Sequence, residues 1–307
     1  MWPTGGGDVT SGTSEAGAAE GARATPLGRV VASDPAAKAA GENFPVALRA
    51  LPRRYRRHLM AVYRFARLVD DTGDEGTADT AGRVRMLDSL DEDVNRIAGA
   101  NGAPRDPVIR DLVPTVRECA IPLQPFRDLI QANRQDQAVT RYPAFEDLLG
   151  YCELSANPVG RIVLHIFGSA TPERLRRSDQ VCTALQLAEH WQDVAEDYGR
   201  GRIYLPAEDL ERFGCGERDL AAPAAAQPVR ALMAFETERA GRILDEGAPL
   251  VGTLRGYARL AVAGYVAGGR AALAAIAAAG HDVLAATPRP RKSRVVSGLA
   301  RAYLTGR

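Results

Sequence analysis

Apolar residues recur at helical spacing along most of the chain, and this periodicity limits the fold more than any other feature. After Pro52, a residue suited to the first turn of a helix, the spacing is three to four residues at Tyr55, Leu59, Val62, Ala66 and Val69. Alternating patterns typical of strands are nearly absent, so the sequence predicts an all-α fold. Further helices are predicted at 79–99, 106–118, 123–137, 144–169, 173–198, 227–247 and 250–279.

Composition narrows the class of protein. The chain has 307 residues and a formal net charge of +1, which argues against a nucleic-acid-binding protein, because such proteins usually carry a basic surplus. The four cysteines and four histidines are scattered, without the spacing of a zinc site or a disulfide framework. We therefore expect an enzyme in a reducing, cytoplasmic setting.

The two ends differ in composition from the middle. Residues 1–40 are predicted to form a disordered tail, because the first 26 are rich in Gly, Ala, Ser and Thr and have no apolar core of a signal peptide. Residues 286–307 are predicted to form a basic tail. The most apolar run, 258–280, contains two arginines and much Ala and Gly, which favours a packed helix over a membrane span.

An acidic cluster ends the first predicted helix. The stretch FARLVDDTGDEG at 65–76 places four acids within six positions: Asp70, Asp71, Asp74 and Glu75. Such acids repel one another by a few tenths of a kcal/mol per pair. This arrangement indicates that a cation is bound there.

A second acidic stripe lies in LQLAEHWQDVAEDYGRGRIYLP at 185–206. On a helix, one face would carry Gln186, Glu189, Asp193 and Asp197. Carboxylates one turn apart hold hard cations through oxygen, and magnesium takes few protein carboxylates together with substrate phosphates. Either motif alone is also typical of a solvated surface. Because both predicted helices look largely buried, the pair favours a magnesium–diphosphate clamp.

Four motifs together resemble the squalene/phytoene synthase family of head-to-head prenyl synthases. They are DDTGD, DVAED, YCELSANPVGR at 151–161 and GRIYLP at 201–206, and the resemblance covers residues 41–285. Within the family, the stretch ENFPVALRALPRRYRRHLMAVYRFARLVDD is most similar to the branch that forms hydroxysqualene in the hopanoid pathway. The resemblance implies a single all-α domain, the isoprenoid synthase fold, with a deep central cavity.

The resemblance also implies the roles of individual residues. Magnesium ligands would be Asp70, Asp74, Asp193 and Asp197, with Glu189 as a further ligand where relatives commonly carry Asn. Arg67 matches an arginine that contacts phosphate. Other substrate-binding or catalytic positions would be Phe44, Tyr63, Tyr151, Ala156, Val159, Gly160 and Gln186. Taken alone, Tyr151 and Phe44 would be ordinary core aromatics, and SANPVG a helix kink at Pro158.

Two positions in the predicted helix 250–279 bear on which product a member of this family forms. Where many relatives carry a phosphate-contacting tyrosine, this chain has Gly269, and Tyr265 lies one turn earlier as a further substrate-binding candidate. The missing side chain at Gly269 would leave space for an ordered water. No G-x-G-x-x-G motif follows a strand, so no nicotinamide site is indicated.

The implied activity is the magnesium-dependent conversion of presqualene diphosphate to hydroxysqualene, by ionisation, rearrangement and capture of the cation by water. Alternatives are a sister activity, which joins two farnesyl diphosphates to presqualene diphosphate or squalene, and a catalytically silent scaffold for isoprenoid enzymes. Expected partners are these diphosphates, other hopanoid-pathway enzymes, and no nucleic acid. We also expect weak peripheral contact with the inner face of the membrane, because the basic tail carries Val295, Val296, Leu299 and Tyr303.

Overall fold

The computed structural model describes residues 51–74, 78–99 and 102–307, and their regular structure is helical. The α-helices are α1 (Arg53–Asp74), α2 (Thr80–Arg96), α3 (Pro107–Glu118), α4 (Gln124–Asp136), α5 (Phe145–Ser155), α6 (Asn157–Ile166), α7 (Pro172–Gln192), α8 (Val194–Gly199), α9 (Ala207–Arg212), α10 (Gln227–Gly247), α11 (Leu250–Thr253), α12 (Gly256–Ala278) and α13 (Lys292–Thr305). A 3₁₀ helix spans Glu217–Ala221. These residues contain no strand, apart from an isolated bridge between Arg141 and Ile203. The predicted all-α fold is confirmed.

Capping residues set the starts of several helices. Asp79 accepts a hydrogen bond from the Gly82 amide at 2.8 Å at the start of α2. Asp106 accepts one from the Val108 amide, also at 2.8 Å, and is followed by a proline at the start of α3. Because each cap pairs an otherwise free backbone amide and is worth about 1 kcal/mol, the polar breaks in the sequence fix where these helices begin.

Three of the predicted helices are interrupted. The predicted helix 144–169 divides at Ala156, because Pro158 cannot donate a backbone hydrogen bond to the preceding turn. The predicted helix 173–198 breaks at Asp193, whose φ of −105° and ψ of 17° lie outside the helical range. The Asp197 amide still donates to the Asp193 carbonyl at 2.8 Å, so the chain turns only slightly there. The third, 250–279, divides between α11 and α12.

Two hydrophobic clusters form the core. One gathers α1 to α4, and the other gathers α5, α7, α10 and α12. Helix α6 lies between them, since Ile162 belongs to the first cluster and Leu164 to the second. Phe167 and Tyr265 pack against both clusters. The two halves therefore share one continuous interior.

The most apolar helix is α12. By length and composition it is the one helix among the described residues that could cross a membrane. It packs instead against α7, α10 and α13, as predicted for a core helix. The predicted basic tail is also structured in part, because α13 packs on α12, with Ala302 1% exposed and Gly298 close to Ala267. The predicted tail at 1–40 lies outside the described residues.

A buried acid lies away from the acidic motifs. Glu236 on α10 has no solvent exposure, and Arg239 donates hydrogen bonds to it at 3.3 Å and to Asp209 at 2.5 Å. Burial raises the pKa of Glu236 to about 8, with Arg239 opposing the shift and Asp209 adding to it. The Glu236 carboxyl is therefore protonated in the folded protein at neutral pH.

This group makes stability depend on pH. Because its folded pKa lies above the ordinary value of 4.5, Glu236 contributes stability below pH 4.5 that is lost as the pH rises to about 8. Glu236→Gln keeps the shape without the charge, so we expect it to raise the free energy of unfolding at pH 8 by on the order of 3 kcal/mol. Thermal unfolding between pH 5 and 8 measures this. Glu238→Gln, at an exposed position on the same helix, is the control, and parallel curves for all three proteins would contradict the prediction.

Candidate active site

The first acidic motif lies at the end of α1, facing α4. Asn133 donates a hydrogen bond to Asp70 at 3.4 Å, and Gln137 donates one to the Gly73 carbonyl at 3.0 Å. A Cβ at Gly73 would lie 2.5 Å from the Asn133 side-chain oxygen. The glycine in DDTGD therefore lets α4 approach the acids closely.

Charge is concentrated at this helix end. The Asp70 side chain reaches solvent but is closely surrounded by protein, and this burial raises its pKa to about 6. Asn133 and Arg67 oppose the shift, whereas Asp74 and Asp71 add to it. Arg67 forms an ion pair with Asp71, one turn further along α1. Arg67 thus stands beside the predicted metal ligands, where a phosphate contact was predicted.

The second motif spans the break between α7 and α8. Burial and the neighbouring Asp193 raise the pKa of Asp197 to about 6. Gln186 lies 3.1 Å from His190, whose ring stacks on Tyr204 with centroids 3.6 Å apart. Burial lowers the pKa of His190 to about 3, so this ring is neutral. Glu189 lies at the surface of α7, one turn before Asp193.

Arg202, from the GRIYLP motif, links the two acidic motifs. Its guanidinium lies 3.4 Å from Asp74, and its backbone amide donates to the Asp197 carbonyl at 2.9 Å. Burial alone would lower the pKa of Arg202, but Tyr204, Asp136 and Asp74 raise it above its usual range. The first and second acidic motifs thus both lie close to the positive charge of Arg202. Sequence reasoning assigned no role to Arg202.

Asp136, at the end of α4, is a further acid that sequence reasoning missed. Tyr151 donates a hydrogen bond to it at 2.9 Å. Its other carboxylate oxygen is buried and has no hydrogen-bond partner within the described residues. Burial raises the pKa of Asp136 to about 6, Arg202 opposes this, and Asp74 and Asp70 add to it. One signal was available: Asn133, Asp136 and Gln137 share one-turn spacing at the end of a helix.

The predicted wall residues differ in their surroundings. Tyr63 and Ala156 are buried, and Val159 packs against the first hydrophobic cluster. Tyr151 lies among the rings of Tyr142 and Tyr204, with centroids 5.7 and 5.8 Å away. Phe44 lies outside the described residues. Whether these side chains enclose a deep cavity stays a prediction.

Two glycines allow neighbouring helices to pack closely. A Cβ at Gly160 would lie 2.4 Å from the Ser178 hydroxyl and 2.5 Å from the Cys182 sulfur, so this residue allows α6 to approach α7. A Cβ at Gly269 would lie 2.8 Å from Leu185. The prediction that Gly269 leaves room for a water is wrong, because leucine side chains already fill that space.

The segment between α12 and α13 returns to the second motif. Gln192 donates a hydrogen bond to the Pro288 carbonyl. Burial and Glu196 raise the pKa of Asp193, while Arg289 and then Arg200 lower it. The basic segment therefore supplies a further positive charge at the site, from Arg289, which the sequence prediction of a tail did not anticipate.

The donor set fits magnesium. Among the described residues no group of three or more His, Cys, Asp or Glu side chains is arranged to hold a metal ion. The acids of the two motifs lie close together in pairs, because Asp74 raises the pKa of Asp70 and Asp193 raises that of Asp197. Magnesium uses one or two carboxylates together with waters and substrate phosphates, so paired carboxylates suit it. The unpartnered oxygen of Asp136 and the mutual repulsion of the aspartates also favour added positive charge.

Two acidic motifs that converge beside buried aromatic rings in an all-α protein are the arrangement expected of a prenyl diphosphate synthase. The profile of the squalene/phytoene synthase family matches residues 37–296. The chain belongs to this family, whose members process prenyl diphosphates such as farnesyl diphosphate.

Individual relatives carry several names. The chain is 32% identical to a phytoene synthase of Mycobacterium tuberculosis, covering 70% of each protein. It is 30% identical to a hydroxysqualene synthase of Rhodopseudomonas palustris, covering 70% of this chain and 72% of that one. The crystal structure of squalene synthase HpnC from Alicyclobacillus acidocaldarius aligns with a TM-score of 0.73 and 43% identity, covering 78% of this chain and 89% of that one.

A dehydrosqualene synthase solved in complex with a ligand aligns with a TM-score of 0.78 at 25% identity. The alignment covers 88% of this chain and 94% of the dehydrosqualene synthase chain. These likenesses confirm the predicted isoprenoid synthase fold and leave the product open.

Proposed function

We propose that this enzyme converts presqualene diphosphate and water to hydroxysqualene and diphosphate, with magnesium as cofactor, in the cytoplasm. The observation that carries the proposal is the meeting of two aspartate pairs around Arg202, near Tyr151. Relatives named hydroxysqualene synthase support this branch of the family.

The proposed metal site uses both motifs. Asp70 and Asp74 from α1, with Asp193 and Asp197 from the second motif, would hold the magnesium, and Glu189 is the additional candidate. Bound magnesium would neutralise charge on the diphosphate as it departs. Arg67 and Arg202 add fixed positive charge to the same end of the site, which lowers the cost of ionisation without a proton transfer.

The aromatic residues would stabilise the carbocation that remains when the diphosphate leaves. Electron-rich ring faces stabilise positive charge, and apolar walls keep water away until the rearrangement is complete. The hydrogen bond from Tyr151 to Asp136 fixes the orientation of its ring and directs the lone pairs of its hydroxyl away from that carboxylate. This hydrogen bond supports Tyr151 as a cation-stabilising residue, because it restrains the ring.

A second candidate function is phytoene synthase, favoured by relatives of that name at 32% identity. Squalene formation from farnesyl diphosphate is the third. A silent scaffold is disfavoured, because the chain retains both aspartate pairs.

One experiment separates these functions. Purified enzyme is incubated with presqualene, farnesyl or geranylgeranyl diphosphate, with magnesium or EDTA, with or without NADPH, in oxygen-18 water. We expect presqualene diphosphate to give hydroxysqualene that contains oxygen-18, only with magnesium and regardless of NADPH. Phytoene from geranylgeranyl diphosphate, or squalene formed only with NADPH, would replace the proposal. No diphosphate release from any substrate would support the scaffold.

Substitutions of Glu189 test whether this residue belongs to the metal site. We expect Glu189→Asn to be tolerated, because an amide oxygen can replace one carboxylate oxygen, whereas Glu189→Leu should raise the magnesium concentration for half-maximal activity about tenfold or more. Magnesium titration of turnover measures both, with Glu211→Leu, at an exposed position on α9, as the control. An unchanged magnesium requirement in Glu189→Leu would mean that Glu189 is only a solvated helix residue.

A further inference from the structure

Helix α13 has an apolar face that points away from the protein. On its outer side Val296 is 66%, Tyr303 38% and Leu304 79% exposed. These residues are seven and eight positions apart, so they share one face of the helix. Val295 and Leu299, expected from the sequence to lie on that face, turn inward and are half-buried.

The same helix is strongly basic. Residues 283–307 include six arginines and lysines and no acid. A groove of about 800 Å³ between α12 and α13 is lined by Arg294, Arg301 and Arg307. Its acidic lining residue, Asp245, is already paired with Arg270 at 2.6 Å. These three arginines therefore give the groove a net positive charge.

This surface includes a basic residue of α12. The Arg259 guanidinium lies 5.0 Å from the centroid of the Tyr303 ring. Helix α13 and the adjoining Arg259 thus combine apolar, aromatic and basic groups, the composition that places helices at membrane interfaces.

We propose that this surface docks on an anionic phospholipid bilayer, with Val296 and Leu304 entering the interface and the groove arginines contacting lipid phosphates. A second copy of the chain is a poorer occupant, because the groove arginines of two facing copies would repel each other. Docking would bring the active site to the membrane, because only three residues separate Pro288, which is bonded to Gln192 beside Asp193, from the start of α13.

Vesicle sedimentation of the full chain tests this inference independently of the reaction. Wild type should sediment with vesicles of phosphatidylcholine and phosphatidylserine, but not with phosphatidylcholine alone, and 0.5 M salt should release it. Arg294→Gln/Arg301→Gln/Arg307→Gln should weaken binding about 100-fold, at about fivefold per arginine. Val296→Ser/Leu304→Ser should weaken it about tenfold or more.

The matched control is Arg85→Gln/Met86→Ser on α2, which removes an exposed arginine and an exposed apolar side chain elsewhere. It should bind as wild type does, and thermal unfolding should show that every variant is folded. Wild type that stays in the supernatant, binds both vesicle types equally, or loses binding in the control variant would overturn the proposal. Dimerisation in ultracentrifugation that Val296→Ser/Leu304→Ser abolishes would assign the face to a second copy and overturn it as well.

Discussion

Asp70→Asn and Asp193→Asn should each reduce kcat by about 100-fold or more while the protein remains folded. Each variant removes a negatively charged candidate metal ligand, and losing one preorganised electrostatic contact typically costs 100- to 1000-fold in rate. The pKa values of both aspartates are raised by burial, so neither charge stabilises the fold. The unfolding temperature without magnesium should therefore stay the same or rise slightly.

Two measurements make this prediction specific. Calorimetric titration with magnesium and inorganic diphosphate should show weaker binding in both variants, which separates a metal ligand from a residue that only shapes the site. Asp111→Asn is the control, because it makes the same chemical change at an exposed position on α3. Near-normal turnover in Asp70→Asn or Asp193→Asn at limiting magnesium would refute the clamp.

The sequence predicts the helices well because their determinants are local. Helix α1 begins just after Pro52 and ends at the acidic cluster, and α10 spans the predicted 227–247. Errors occur where geometry depends on other parts of the chain. The turn at Asp193 and the packing of α13 on α12 arise from tertiary contacts, which periodicity does not report.

The candidate site shows the same division. Both aspartate pairs were found from spacing, because acids one turn apart on an apolar helix are visible in one stretch of sequence. Asp136 and Arg202 were missed, because neither lies in an acidic run and each gains its meaning from partners far away in the chain. Gly269 was misjudged, because a glycine opens space only where no neighbour fills it.

Arg202→Gln should show that this arginine acts as the internal counter-cation of the site. Its side chain is largely buried, and its charge opposes the pKa increases of both Asp136 and Asp197. Removing one partner of a buried charge cluster typically costs 3–5 kcal/mol, so without magnesium we expect an unfolding free energy lower by about 3 kcal/mol. The unfolding temperature should fall by roughly 5 to 10 °C.

The pH and magnesium dependence distinguish this role from simple packing. Without Arg202 the folded pKa of Asp136 rises further above its unfolded value, so the loss of stability should grow as the pH increases from 5 to 8. Saturating magnesium should restore much of the lost stability in Arg202→Gln, because an added cation offsets the same repulsion. The matched control is Arg200→Gln, an exposed neighbour paired with Glu196, which should change stability by less than about 1 kcal/mol. A stability loss in Arg202→Gln that is independent of pH and unaffected by magnesium would mean that Arg202 contributes through packing alone.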